Sequence, residues 1–237
     1  MSLVKEMGIT KGIVYCTASA VDKRILDICS TKLIHIANEM DMEIVSVSLN
    51  NPVDIGRNIV VNYPFCKTSI IRQQIIGLEN IHSDYVFFCD DDTLYNKTHF
   101  DFMPPQKAFY FNHNIWFLDS KTGKTMFYLV KNGSAQSAYR ESALRYFNEY
   151  ISKLHLEEKV VCELGSKFGD KVDVYNSWYA IIDIKHDKNT SAKSFDRSTV
   201  ARVIKPLHGW TKASGIPHYG TSLNRPIQFL KECASWK

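Results

Sequence analysis

The sequence predicts an α/β protein with a mostly parallel sheet flanked by helices. Two observations carry the prediction. Strand-like apolar runs alternate with helix-period segments through the first half of the chain. One of those runs, Tyr85-Val86-Phe87-Phe88-Cys89, stops abruptly in Asp90-Asp91-Asp92. Buried strands in such sheets end at ligand sites, and three adjacent carboxylates repel one another and resist burial.

Lys11 to Cys16 reads as a first buried strand, followed by the small turn Thr17-Ala18-Ser19. Ile25, Ile28, Cys29, Leu33, Ile36 and Ala37 recur at helical spacing, so residues 21–40 form an amphipathic helix. Glu43 to Leu49 is a second strand. Asn50-Asn51-Pro52 and Asp54-Ile55-Gly56 punctuate a loop, and Asn58 to Val61 is an edge strand or the entry to one. Thr68 begins a second helix, where Thr or Ser can cap it, with Ile70, Ile71, Ile75, Leu78 and Ile81 inward. The acid-tipped strand follows. This order places the Thr17-Ala18-Ser19 turn and the acid turn at the carboxyl ends of parallel strands, sharing one crevice.

The second half differs. Ala108–Leu118 and Lys124–Val130 flank Asp119-Ser120-Lys121-Thr122-Gly123, a hairpin signal. Residues 134–153 read as a helix with Ala138, Ala143, Leu144, Phe147 and Ile151 inward, and residues 172–184 as strand or extended structure.

Composition narrows the function classes. The chain has 237 residues, 45% apolar and 23% charged, enough for one large domain. A net charge of +4 suits an anionic ligand without being a nucleic-acid signature. The six cysteines form no CxxC pair, which argues for buried free thiols over disulfides or zinc. No apolar run approaches the roughly 20 residues of a membrane span. Met1–Glu6 lacks the apolar core of a signal peptide. A cytoplasmic protein is expected, or one in the host cytoplasm if phage-encoded.

In Asp90-Asp91-Asp92, alternate side chains of an extended segment would point the same way, so Asp90 and Asp92 can address one site. Hard oxygen ligands suit Mg²⁺ or Mn²⁺. A solvated acidic loop is the other reading of the triplet alone. Further motifs follow in order: Gln73 to Leu78, Asp90-x-Asp92-x-Leu94-Tyr95, His99-Phe100-x-Phe102-x-Pro104-Pro105 and Phe109-Tyr110-Phe111-Asn112-x-Asn114-x-Trp116. This set resembles the nucleotide-sugar-dependent glycosyltransferases of the GT-A fold, in a bacterial and phage branch, across residues 10–190. Asp90 stands where that branch often has Glu.

The resemblance implies a single GT-A (Rossmann-like) domain over 1–237. Residues 10–105 would bind the nucleotide sugar, and 106–237 would form the acceptor side with its β-hairpin. It implies that Asp92 and Asp90 hold Mn²⁺ or Mg²⁺ on the diphosphate of the donor, a UDP-sugar by preference, with Asp91 near the ribose or sugar. Thr17, Ala18 and Ser19 would lie against the nucleotide, and Gln73 and Gly77 on a helix lining the donor pocket. His186 follows a buried strand as Asp90 does and resembles a "DIRHGxNxTG" ending in the same branch, although Asp187 replaces a Gly. It is the best third metal ligand; His208 and His218 are rivals, and His35 and His155 read as structural.

A hydroxyl acceptor needs a base in an inverting transfer. Glu163 is the first choice and Glu141, near a helix start, the second. Among Tyr110, Trp116, Trp178, Tyr179 and Trp210, a stacking platform is expected only of Trp178 or Trp210. Lys185, Lys188, Lys193, Arg197, Arg202 and Lys205 make a basic segment, either a solvated loop or a surface for the diphosphate or an anionic acceptor such as DNA, where hydroxymethylpyrimidine is a candidate. The rival readings are a nucleotidyltransferase, disfavoured because residues 16–22 hold no Gly, and a non-catalytic nucleotide-sugar-binding module.

Overall fold

Strand β1 (Lys11–Thr17) lies inside the main sheet, and its side chains alternate between two cores. Ile13 and Tyr15 join one, Val14 and Cys16 the other. This computed structural model describes residues 8–18, 20–120, 123–127, 131–153, 163–165, 168–186, 211–212 and 216. Helix α1 (Lys23–Glu39), β2 (Glu43–Leu49), β3 (Arg57–Val61), α2 (Lys67–Asn80) and β4 (Tyr85–Asp90) follow in the expected order. After them come β5 (Thr93–Leu94), the short α3 (Lys97–Phe100), β6 (Phe109–Asn112), β7 (Ile115–Asp119) and β8 (Lys124–Phe127). A 3-10 turn (Gly133–Ala135) leads into β9 (Gln136–Tyr139), α4 (Arg140–Ser152), β10 (Val172–Tyr175), β11 (Ile181–Lys185) and β12 (Thr211–Lys212).

The main sheet has seven strands in the order β10-β6-β9-β4-β1-β2-β3. All pairings are parallel except those of β9, which runs antiparallel to both β4 and β6. One core fills the α1 side with Leu33, Ile36, Tyr85 and Phe87. The other joins Ile71 and Leu78 of α2 to Tyr146 and Phe147 of α4. A second, five-stranded sheet, β12-β8-β7-β11-β5, packs Leu94, Leu118, Ile182 and Ile184 against Ile25 and Cys29 of α1. Among the described residues no helix is long and apolar enough to cross a membrane.

Several expectations are corrected. Residues 108–118 are not one strand: the chain turns at His113-Asn114, where the Asn112 side chain accepts the Asn114 N–H at 2.9 Å, and β6 and β7 enter different sheets. Residues 172–184 likewise divide into β10 and β11. The helix expected from 134 begins at Arg140, because residues 136–139 fill the slot between β4 and β6, and a tertiary slot overrides weak local preference. Helix α2 is capped at Cys66, whose N–H donates to Ser69 Oγ at 3.0 Å, and not at Thr68. Cys16, Cys29 and Cys89 are buried free thiols, but Cys66 is exposed; Cys162 and Cys233 lie outside the described residues. The expected hairpin is present as β7–β8, closed by the Gly123 N–H to Asp119 O at 2.8 Å with Gly123 at φ 67°.

Gly77 is a contact between α2 and β1. A Cβ there would stand 2.4 Å from Val14 Cγ1. Gly77→Ala is therefore expected to cost about 1–3 kcal/mol by overpacking, read as a lower midpoint in urea denaturation.

Asp22 caps α1, its Oδ1 accepting the Arg24 N–H at 2.9 Å. The Arg24 side chain and then this backbone bond hold its carboxyl at about 2. That value is below the unfolded one, so the stabilisation is complete above about pH 4 and is lost as the pH falls through about 2. Asp22→Asn, which keeps the cap, should flatten the acid limb of a melting-temperature profile across that window.

Candidate functional site

The acid turn is positioned from three sides. β4 delivers Asp90 at its end, and Asp91 and Asp92 form the turn before β5. The Asp90 N–H donates to Tyr95 Oη at 3.0 Å, and Tyr95 Oη donates to the Ser134 carbonyl at 2.9 Å. From β1, Thr17 Oγ1 donates to Asp91 Oδ2 at 2.5 Å. From β11, the Ile184 N–H donates to the Asp92 carbonyl at 2.8 Å. Antiparallel pairing sets Asp183 opposite Thr93 and Ile182 opposite Leu94. Asp91 and Asp92 form a turn after Asp90 and not an extended continuation of β4.

This pairing carries His186 to the turn. Its Nε2 lies 3.5 Å from Asp92 Oδ2, and the two side chains are 7% and 16% exposed. It also carries in Asp183, which was given no role in the sequence, and Lys185, expected only as part of the basic segment 185–205. Asp183 is buried and accepts from Asn132 Nδ2 at 2.8 Å. Lys185 Nζ lies 2.7 Å from its Oδ1 and 2.8 Å from its Oδ2. A signal for both was present: an acid inside Ile181-Ile182-Asp183-Ile184 cannot be buried alone, and Lys185 two residues on shares its face.

Burial and mutual repulsion disfavour the charged forms of the acids in the turn. Burial, then Asp92, Asp91 and Asp183, push the Asp90 carboxyl well above the usual carboxylate range, opposed by Lys185. Burial and Asp92 raise Asp91 to about 7 against the Thr17 hydrogen bond and His186. Asp183 is raised by burial, with Lys185 opposing. Such a group of acids favours a cation. Carboxylate oxygen and imidazole nitrogen form a donor set suited to Mg²⁺ or Mn²⁺. Adjacent ligands about 2.1 Å from an octahedral ion are roughly 3 Å apart, close to the Asp92–His186 spacing. Among the described residues no three His, Cys, Asp or Glu side chains form a ready cage. Asp92 and His186, with Asp90, are the residues that would hold such an ion.

The other expected residues separate. Thr17 is in the site and Ala18 adjoins it; Ser19 lies outside the described residues. Gln73 is buried and donates through Nε2 to the carbonyls of Thr17 at 2.9 Å and Val47 at 2.7 Å. It fixes the carboxyl-end backbone of β1 and β2. Gly77 is a packing contact between α2 and β1. Glu141 is misplaced for a base. Tyr139 pairs with Tyr85 and the Arg140 N–H donates to Asp84 O, so α4 starts at the amino end of β4. Asp90 lies at the other end, roughly 17 Å of strand away.

Glu163 is half-buried; its carbonyl accepts from Tyr146 Oη at 3.4 Å, and the Leu164 N–H donates to Gln136 Oε1 at 2.9 Å. Trp178 is 72% exposed but precedes β11, at the end opposite His186, so it is no platform for a donor at the acids. His155, His208, His218, Trp210, Lys188, Lys193, Arg197, Arg202 and Lys205 lie outside the described residues.

No protein-family model and no curated protein sequence matches the chain. Solved structures do. Residues 1–349 of S. aureus TarS, in complex with UDP-GlcNAc, match 82% of this chain and 65% of that one at 11% identity and a TM-score of 0.50. A glycosyltransferase involved in glycosylation of the major capsid of PBCV-1 matches 80% of this chain and 99% of its own, at 9% and 0.46. Bifunctional IspDF from Campylobacter jejuni matches 79% of this chain at 12% and 0.45. The chain spans 54% of IspDF and 65% of the TarS fragment, less than two thirds of either. The fold is thus the GT-A, Rossmann-like α/β fold, with a mostly parallel sheet flanked by helices and a hairpin in its second half.

Removing the Gln73 clamp leaves two strand-end carbonyls without its amide. Gln73→Leu should cost about 1–3 kcal/mol in urea denaturation.

Proposed function

We propose that the chain is a metal-dependent glycosyltransferase, moving a sugar from a nucleoside diphosphate sugar, UDP-sugar by preference, to a hydroxyl. The observation that carries this reading is the meeting of Asp90–Asp92, Thr17 and His186 at the carboxyl ends of β1, β4 and β11. The likeness in fold to the TarS fragment that binds UDP-GlcNAc supports the donor class. Asp92 and His186, with Asp90, would hold Mn²⁺ or Mg²⁺. When bound, the ion supplies Lewis-acid neutralisation of charge on the departing nucleoside diphosphate.

The chain's own groups do the rest. Thr17 orients Asp91 toward the donor side through its hydroxyl. Gln73 keeps the β1 carbonyl end in place beneath it. Glu163 takes the proton of the attacking hydroxyl if configuration inverts, and Glu141 has no part. Glycan hydroxyls and hydroxymethylpyrimidine in DNA are the acceptors to compare; a duplex base would have to be flipped out.

The test is donor hydrolysis across a panel of nucleotide sugars with Mn²⁺ or Mg²⁺, without acceptor. Asp92→Ala should lose at least about a hundredfold in turnover at an unchanged melting temperature, and EDTA should do the same to the wild type. Glu141→Gln should keep wild-type turnover. Full activity in Asp92→Ala, or in EDTA, contradicts the metal assignment.

A further inference from the structure

Asp183, Lys185 and Asn132 form a buried polar chain beside the acid turn. Asn132 joins two parts of the fold. Its Oδ1 accepts the Ser134 N–H at 3.0 Å and the Ser134 hydroxyl at 2.8 Å, and its Nδ2 donates to Asp183. Tyr95 ties the same Ser134 carbonyl to the Asp90 backbone. Lys185 Nζ grips both oxygens of Asp183 and lies 4.6 Å from the centre of the Phe117 ring. Phe117 is the register partner of Asp183 on β7. The ammonium is thereby fixed by a carboxylate and an aromatic face, with a side chain only 18% exposed.

Its place relative to the turn follows from the strands. Ile184, between Asp183 and Lys185, is bonded through its N–H to the Asp92 carbonyl. Asp183 faces Thr93, the residue after the triplet. A positive charge so placed weakens the repulsion among the acids, consistent with its lowering effect on Asp90. It acts in opposite senses on two ligands: it repels a divalent cation and attracts a diphosphate.

We propose that Lys185, clamped by Asp183, which Asn132 in turn holds, is the protein's own counter-charge to the Asp90–Asp92 turn and sets how strongly the site takes a divalent cation relative to a diphosphate. The proposal rests on the reading of the site given above. Lys185 is here a positioning residue acting through charge. Replacing it leaves Asp183 negative and makes the site more acidic. Replacing Asp183 leaves Lys185 positive and makes it less so. Removing both restores the balance.

Calorimetry on the full chain tests this with two probes, MnCl₂ alone and UDP in EDTA. Lys185→Met should bind UDP about tenfold more weakly and Mn²⁺ about threefold more tightly; Asp183→Asn should move both affinities the other way. The double variant should stay within about twofold of wild type for both probes. Lys185→Arg, which keeps the charge, should restore UDP affinity. Single variants that shift the affinities in the same direction overturn the proposal. So does a folded Lys185→Met that leaves both unchanged, or a wild type that binds no UDP in EDTA. If Lys185→Met does not fold, Asp183→Asn and the double variant carry the same comparison. Failure of the wild type to bind Mn²⁺ defeats the metal reading separately and leaves the UDP arm to judge Lys185.

Discussion

The site depends on one short pairing, the antiparallel register of β5 on β11. It sets Asp183 against Thr93 and Ile182 against Leu94, and a bond from the Ile184 N–H to the Asp92 carbonyl extends it. The register is held by apolar burial rather than by the charges. Leu94, Ile182 and Ile184 pack with Ile25 and Cys29 of α1. A slip by one residue would turn Asp183 into that core and the isoleucines toward the acids. Helix α1 thereby specifies, from the far face of the second sheet, which side chains of β11 meet the acid turn.

The same arrangement explains how three adjacent acids are tolerated at the end of a buried strand. Each has a different support. Asp90 has its N–H on Tyr95 and Lys185 as an opposing charge. Asp91 accepts the Thr17 hydroxyl, and Asp92 faces His186. These supports are partial, as the raised carboxyls of Asp90 and Asp91 show. A ligand cation completes the compensation in our reading.

Much of this was legible in the sequence where each element carried its own signal. β1, α1, β2, α2 and β4 are continuous periodic runs whose order dictates a parallel sheet. Asp90–Asp92 stood out because the strand before them is apolar. His186 was legible as a residue following a second buried strand. β9 was not, because Gln136-Ser137-Ala138-Tyr139 has little strand preference and is a strand only between β4 and β6. The breaks fall at short polar steps, Asn112-His113-Asn114 and Asn176-Ser177, set between aromatic segments that read as continuous strand. The second sheet was hidden with them, since its pairings are non-local. Gln73 and Gly77 were noticed for the right helix, but one fixes strand ends and the other a packing distance. Glu141 lay on a real helix whose start β9 carries to the opposite end of the sheet.

The central claim is that β11 and the acid turn form one cation–diphosphate site. The most direct measurement is anomalous diffraction from crystals of the full chain grown with Mn²⁺ and UDP. The account predicts one manganese peak within about 2.0–2.3 Å of an Asp92 carboxylate oxygen and His186 Nε2, with a phosphate oxygen in its shell. A manganese or UDP found instead at the amino end of the sheet, in the cavity beside Met42, Glu43 and His82, would contradict it.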